Sequence, residues 1–147
     1  MAMHKKFYAS GFLYYLPTQR ILLHQQTSSS STLLSPWRLF GSLYTEKEEP
    51  ETVFKNIIHE TLSIKIGIVN TVYSYFNTNT NTNQVIVYSE LKTLKNFSSK
   101  NGLTFVWFSF KEVIKLQITE QTKHDIVVGH RVIEAAARKS RGEHTFQ

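Results

Sequence analysis

Between Pro50 and Leu62 the apolar residues Val53, Phe54, Ile57, Ile58 and Leu62 recur three and four apart. A stretch of that kind cannot bury its apolar side alone, so it requires a helix with one broad face packed on a sheet. Its lead-in suits a helix start. Pro50 needs no backbone donor in the first turn, and Glu46, Glu48, Glu49 and Glu51 around it complement the positive end of the helix dipole. The same period leaves Lys55, Asn56, His59 and Glu60 on the polar side. Because residues three and four apart share a face, Asn56, His59 and Glu60 project into one volume.

The flanking segments read as strands. Phe7 to Tyr15 is aromatic and β-prone, and Pro17-Thr18-Gln19 breaks the run before Arg20 to Gln26, which predicts two strands joined by a short turn. Thr27 to Thr32 is a serine-rich tract that reads as a surface loop, feeding through Pro36 into a short strand at Trp37-Arg38-Leu39-Phe40. After the helix, Val69 to Phe76 and Gln84 to Glu90 predict a hairpin. Its tip is the low-complexity Asn-Thr repeat from Asn77 to Asn83, expected to be disordered and assigned no function. Leu91 to Gly102 is a polar connection with a short helical or irregular piece, and Leu103 to Phe108 is another strand. Ser109 can cap a short helix through Leu116, with Glu112 completing a capping box. From about Thr122, the residues Ile126, Val127, His130, Val132, Ile133 and Ala136 predict a closing helix, weakened at Gly129. Strands, one long helix, more strands and a terminal helix make a mixed α+β sandwich.

A chain of 147 residues that is 41% hydrophobic can bury one ordinary core, so a single domain is expected, with its core at about 7–137 and a basic tail at 138–147. No apolar run approaches bilayer-spanning length, and Met1-Ala-Met-His-Lys-Lys lacks a signal peptide's apolar core; the expectation is a cytoplasmic protein with no membrane partner. The absence of cysteine excludes disulfides and thiolate metal ligands. A net charge of +6 favours polyanions, including nucleic acid. Arg131, Arg138, Lys139 and Arg141 gather near the C-terminus, where a solvated basic tail is the preferred explanation.

The helix sits in a wider frame. Gly41 is followed after five residues by Lys47, then after seven more by Lys55-Asn56-Ile57-Ile58-His59-Glu60-Thr61-Leu62-Ser63. This spacing resembles the Nudix box: Gly, five residues, Glu, seven residues, Arg-Glu-apolar-any-Glu-Glu-any-Gly-apolar. Gly11-Phe12-Leu13 and Ile21 to Gln26 look like that family's opening strand pair, and Trp37 to Gly41 like the approach to its box. The resemblance implies an α/β/α sandwich with a mixed curved sheet and a diphosphate site beside the box helix.

Of the family's acidic positions only Glu60 is still acidic; Lys47, Asn56 and His59 replace the others, Lys55 replaces Arg and Leu62 replaces Gly. A hard dication prefers several carboxylate oxygens. Here one volume offers a carboxylate, a neutral amide and an imidazole nitrogen, which suits zinc, copper or nickel better than magnesium. Metal assistance contributes several kcal/mol; losing roughly 5 kcal/mol would leave a few parts in ten thousand of the rate, since about 1.4 kcal/mol is a decade. Weak or no Mg²⁺-dependent hydrolysis is expected.

The resemblance assigns Glu60, with Asn56 and His59, to metal binding, and Glu60 and His59 to any catalysis. Lys47 would put a fixed positive charge toward a diphosphate, and Lys55 keeps a positive charge without arginine's bidentate fork. Trp37 could stack on a base beside Arg38, although a tryptophan at strand spacing also reads as core. The first expectation is a binder of a nucleotide or nucleoside-diphosphate derivative with weak or lost hydrolysis. The alternatives are an active hydrolase using Glu60, the neighbouring loop acids and His59 with Mg²⁺, Mn²⁺ or another transition metal, and an interaction module without ligand or cofactor whose basic C-terminus contacts nucleic acid or another acidic partner.

Overall fold

The computed structural model describes residues 6–27, 35–140 and 142. Most of the serine-rich tract therefore lies outside the described residues. Strand β1 (Lys6–Tyr15) leads through a single 3-10 turn (Leu16–Thr18) into β2 (Arg20–Gln26). Then follow β3 (Phe40–Tyr44), helix α1 (Pro50–Leu62), β4 (Asn70–Asn77), β5 (Thr82–Leu91), β6 (Leu103–Ser109), the short α2 (Phe110–Val113) and α3 (Glu120–Ser140). Pro17 fixes the 3-10 turn, and Gln19, in the left-handed region at φ 52°, closes it by donating its N–H to the Leu16 carbonyl.

β1 organises the sheet. One of its edges pairs in parallel with β5 along its whole length, from Lys6 opposite Thr82 to Tyr15 opposite Leu91. Its other edge is shared between antiparallel partners: β3 takes Phe7 to Gly11 and β2 takes Leu13 to Tyr15. The result is a six-stranded sheet in the order β4-β5-β1-β2-β6, with β3 beside β1. Gly11 allows β1 and β5 to come this close, because a Cβ there would run into the Val87 carbonyl.

Alternation along the strands then builds two cores. On one face Leu13, Leu22, Phe40, Val87, Phe105 and Trp107 receive Phe54, Ile58 and Leu62 of α1. On the other, Phe12, Tyr14, Ile21, Leu23, Ile86, Tyr88 and Phe108 receive Val113, Ile126 and Ile133 from α2 and α3. Helices therefore cover both faces of a mixed sheet. Gly129 costs α3 some propensity but permits close docking, since a Cβ there would lie 2.9 Å from the Phe12 ring.

Local features differ from the sequence reading, and the strand expected at Trp37 to Phe40 instead runs from Phe40 to Tyr44. The Asn-Thr repeat is ordered into strand ends and a turn: Asn77 Oδ1 accepts the N–H groups of Asn79 at 3.0 Å and Thr80 at 3.3 Å, and Thr82 Oγ1 donates to the Thr80 carbonyl. Short polar side chains that bond their own backbone make such a turn without any apolar anchor, which composition alone does not reveal. The short helix keeps its capping box between Ser109 and Glu112 but ends at Val113. Arg138 and Lys139, expected in a tail, lie in the last turn of α3, where cations complement the helix dipole. Among the described residues no helix is long and apolar enough to cross a membrane.

The end of α1 carries a conformational cost. Leu62, which stands where the box resemblance expects glycine, remains helical and buried, and the left-handed residue is the next one, Ser63, at φ 59°. A non-glycine residue there costs roughly 1 kcal/mol. Ser63→Gly should raise unfolding stability by about 0.5–1 kcal/mol in urea titrations. A loss of stability would show that the Ser63 side chain makes a compensating interaction.

Candidate functional site

Burial of Val53, Phe54, Ile58 and Leu62 against the sheet turns the opposite side of α1 to solvent. Lys55, Asn56, His59 and Glu60 are all exposed there, and Ile57 is half-buried. The trio of Asn56, His59 and Glu60 does share one helix face. Among the described residues, no acid lies within ion-pairing distance of Lys55, and Lys65 does not pair with Glu60.

Lys47 occupies the exposed turn between β3 and α1. Its acidic neighbours serve the turn and the helix start. Glu48 accepts from the Thr45 backbone N–H at 2.9 Å and the Thr45 hydroxyl at 3.2 Å, while its own N–H donates to the Thr45 carbonyl. Glu49 is the residue before the helix and Glu51 lies in its first turn. Glu51 also reaches the Thr71 hydroxyl at 3.5 Å. The Tyr44 hydroxyl is held above its usual range by burial and by the nearby Glu51 and Glu49 carboxylates.

Trp37 and Arg38 occupy different environments from the trio. The Trp37 ring packs with the core on the α2–α3 face, edge-on to Phe108 at 4.9 Å, and its backbone N–H donates to the Gln117 carbonyl. Arg38 is exposed, and its backbone exchanges two hydrogen bonds with His24. The helix trio and the Trp37 ring thus lie on opposite faces of the sheet.

A dication held on the outer face of α1 would use the trio. It supplies one carboxylate, one amide and one imidazole, and among the described residues no three His, Cys, Asp or Glu side chains come together to hold a metal. That donor set does not fit Mg²⁺, which wants hard oxygen ligands and near-octahedral geometry.

Two polar groups lie outside the sequence candidates, although the adjacency of His124 and Asp125 is visible in the sequence and does not by itself make a catalytic pair. His24 points to the α1 face, its ring 4.7 Å from Phe40, with Nε2 2.9 Å from the Leu39 carbonyl. Burial lowers its pKa, outweighing that contact, so the ring is neutral, with Nε2–H as donor. The second is Asp125, buried between α3 and β4, whose Oδ1 accepts from the Tyr73 hydroxyl at 2.6 Å and from Gln121 Nε2 at 2.9 Å. His124, its sequence neighbour, is exposed, with its ring 6.0 Å from Tyr73. The signal was available in the helical period, which puts Asp125 with Ile126, Gly129 and Ile133 on the buried side of α3.

Burial is the main cause that raises the Asp125 carboxyl above its ordinary range, against the opposing pull of Tyr73, Gln121 and His124. Burial first, and Asp125 second, push the Tyr75 hydroxyl up to about 12. The folded chain therefore keeps the Asp125 proton at pH values where the unfolded chain has released it. This group costs stability as pH rises from its ordinary value through the raised one. Asp125→Asn, which can still accept from Tyr73, should remove that slope in thermal melts taken from about pH 3.5 to about pH 7. Parallel pH profiles for the two proteins would contradict the assignment.

No protein-family model matches the chain, and no curated protein matches it in sequence. Solved structures do match. A mutT/nudix family protein from Listeria innocua superposes with a TM-score of 0.74 at 12% identity, covering 92% of this chain and 98% of that one. The NUDIX domain of Shewanella oneidensis NrtR, solved in complex with ADP ribose, gives a TM-score of 0.66 at 14% identity, covering 90% of each chain. The C-terminal domain of mouse MUTYH, solved in complex with human PCNA, gives 0.67 at 10% identity, covering 89% of this chain and 91% of that one. With its mixed sheet held between α1 and the α2–α3 layer, the chain has a Nudix-like fold.

Proposed function

We propose that this Nudix-like domain binds a nucleotide or nucleoside-diphosphate derivative and has weak or no metal-dependent diphosphate hydrolysis. The observation that carries the proposal is the exposed face of α1, where the spacing of a metal-binding helix is kept but Glu60 is the one carboxylate among Asn56, His59 and Glu60. Hydrolysis by activated water depends on a Lewis acid to stabilise developing charge, and this donor set gives a dication too little anionic density. Retention of ligand binding is supported by the NrtR domain, a structural neighbour that holds ADP ribose.

Within this reading, Lys55 adds positive charge next to the trio on α1, and Lys47 adds it from the exposed turn that precedes the helix. A cationic amine can neutralise part of a diphosphate's charge without a metal, but it does not bind a water and lower its pKa as a metal ion does. Uniform attraction of that kind favours binding over turnover. Trp37 contributes by bracing the α2–α3 face, and Arg38, exposed beside it, is the residue of that segment open to a ligand.

Purified protein is to be mixed with ADP-ribose and a panel of nucleoside-diphosphate derivatives and monitored by thermal unfolding and by product formation, with and without Mg²⁺ or Mn²⁺. At least one compound should raise stability, by about 2.7 kcal/mol at a hundredfold excess over its dissociation constant, with little or no turnover. Lys47→Ala combined with Lys55→Ala should weaken that shift. Brisk turnover with Mg²⁺ that disappears in Glu60→Gln would contradict the loss of hydrolysis; no stabilisation by any compound at millimolar concentration would contradict binding.

A further inference from the structure

We propose that the cavity between the 3-10 turn and the C-terminal half of α3 binds a small organic carboxylate, with the Tyr14 hydroxyl and the Arg138 guanidinium holding its anionic group and Leu16, Ile133 and Ala137 covering its apolar body. The cavity has a volume of about 260 Å³. It lies on the α2–α3 face, whereas Asn56, His59 and Glu60 project from the helix that covers the other face. It is therefore separate from the site proposed above.

Tyr14 is the reason to expect a ligand. Its place in β1 turns the side chain into the core of the α2–α3 face, where it is 3% exposed and its ring centre lies 6.1 Å from that of Phe110. A buried phenol ordinarily finds a partner for its hydroxyl, as Tyr73 does at Asp125. The Tyr14 hydroxyl has no such partner among the described residues, and it is not sealed in the core either, because the side chain lines the cavity. Burial first, and then the nearby Glu90 and Glu134 carboxylates and Tyr88, hold the hydroxyl above its usual range. It therefore keeps its proton at neutral pH and is a donor to whatever fills the cavity.

The charged rim selects the sign of that ligand. Glu134 is engaged at both oxygens: Oε1 is 2.9 Å from His130 Nε2, and Oε2 is 3.8 Å from Arg138 Nη1. The second contact is too long for a hydrogen bond, and among the described residues Arg138 makes no other ion pair. The donors of its guanidinium are thus open, and that planar fork matches the two oxygens of a carboxylate. An ammonium would find Glu134 already taken and Arg138 repelling it. The apolar wall, in which Leu16 is 42% exposed, favours an anion that carries a hydrocarbon body over a bare inorganic one. Size follows from the volume. Sites for drug-sized ligands run from about 300 to 1,000 Å³; this one falls below that range, which suits a single ring or a short chain and leaves out a nucleotide.

Titrations of the full chain with benzoate, butyrate, inorganic phosphate and butylammonium, followed by the backbone amide signals, test this. Benzoate or butyrate should shift the signals of Gln19, Ile133 and Ala137 to saturation, phosphate should bind about tenfold more weakly or less, and butylammonium should have no effect there. Tyr14→Phe, which keeps the buried ring, should weaken carboxylate binding about three- to tenfold. Arg138→Gln, at an exposed position that leaves the core intact, should weaken it about tenfold or more. No saturable response to either carboxylate through the millimolar range would overturn the proposal. Phosphate or butylammonium binding as tightly as the carboxylates would also overturn it, since the apolar wall or Arg138 would then play no part. So would carboxylate binding that either variant leaves unchanged.

Discussion

Everything placed on α1 follows from how that helix is buried. Phe54 and Ile58 have no exposed surface, and Val53 and Leu62 have 7% each; burial of each such side chain contributes about 1.5–3 kcal/mol. With so much of the helix's apolar surface committed to Leu13, Leu22, Phe40 and Val87, its rotation about its own axis is fixed. The positions 55, 56, 59 and 60 must then face outward whatever residues occupy them. Packing and chemistry are separable here because one period governs both: the apolar half maintains the fold, and the polar half is free to change.

That separation lets the polar positions of the helix vary while its apolar spacing stays fixed. The fold of this chain superposes over most of its length on proteins with 10–14% identity, so few particular residues are needed to specify it. What is needed is alternation along β1 and β5, a close approach at Gly11 and Gly129, and the apolar stripe of α1. None of these involves Lys47, Asn56 or His59. An amide and an imidazole at positions 56 and 59 of the exposed helix face, and an ammonium at position 47 in the turn before it, leave the core untouched.

Much of the architecture was legible because periodicity carried it. The stripe at 53, 54, 58 and 62, the hairpin of β4 and β5, and the Ser109–Glu112 capping box could each be read from spacing, since each depends on neighbours within a few residues. The long-range pairings were not readable in that way: nothing local says that β1 shares one edge between β2 and β3 while running parallel to β5. The Asn-Thr repeat misled because its composition is that of a flexible tract, whereas its order comes from individual side-chain-to-backbone bonds. At the site, the grouping of Asn56, His59 and Glu60 was legible from the helix period, but the Trp37 ring's place on the opposite face was not, because it depends on the Phe108 contact. Asp125 could be read from the sequence only as the neighbour of His124, because a carboxylate on the buried side of a helix makes sense once Tyr73, from a distant strand, is seen beside it.

The central claim is one of charge at the outer face of α1, and the most direct measurement is a Mg²⁺ titration followed by the backbone amide signals of Asn56, His59 and Glu60. Small shifts that rise without saturating through the millimolar range, and that are matched in Glu60→Gln, are the expected result. A saturating response centred on Glu60 and lost in Glu60→Gln would show that this face holds a magnesium ion after all, and would contradict the account.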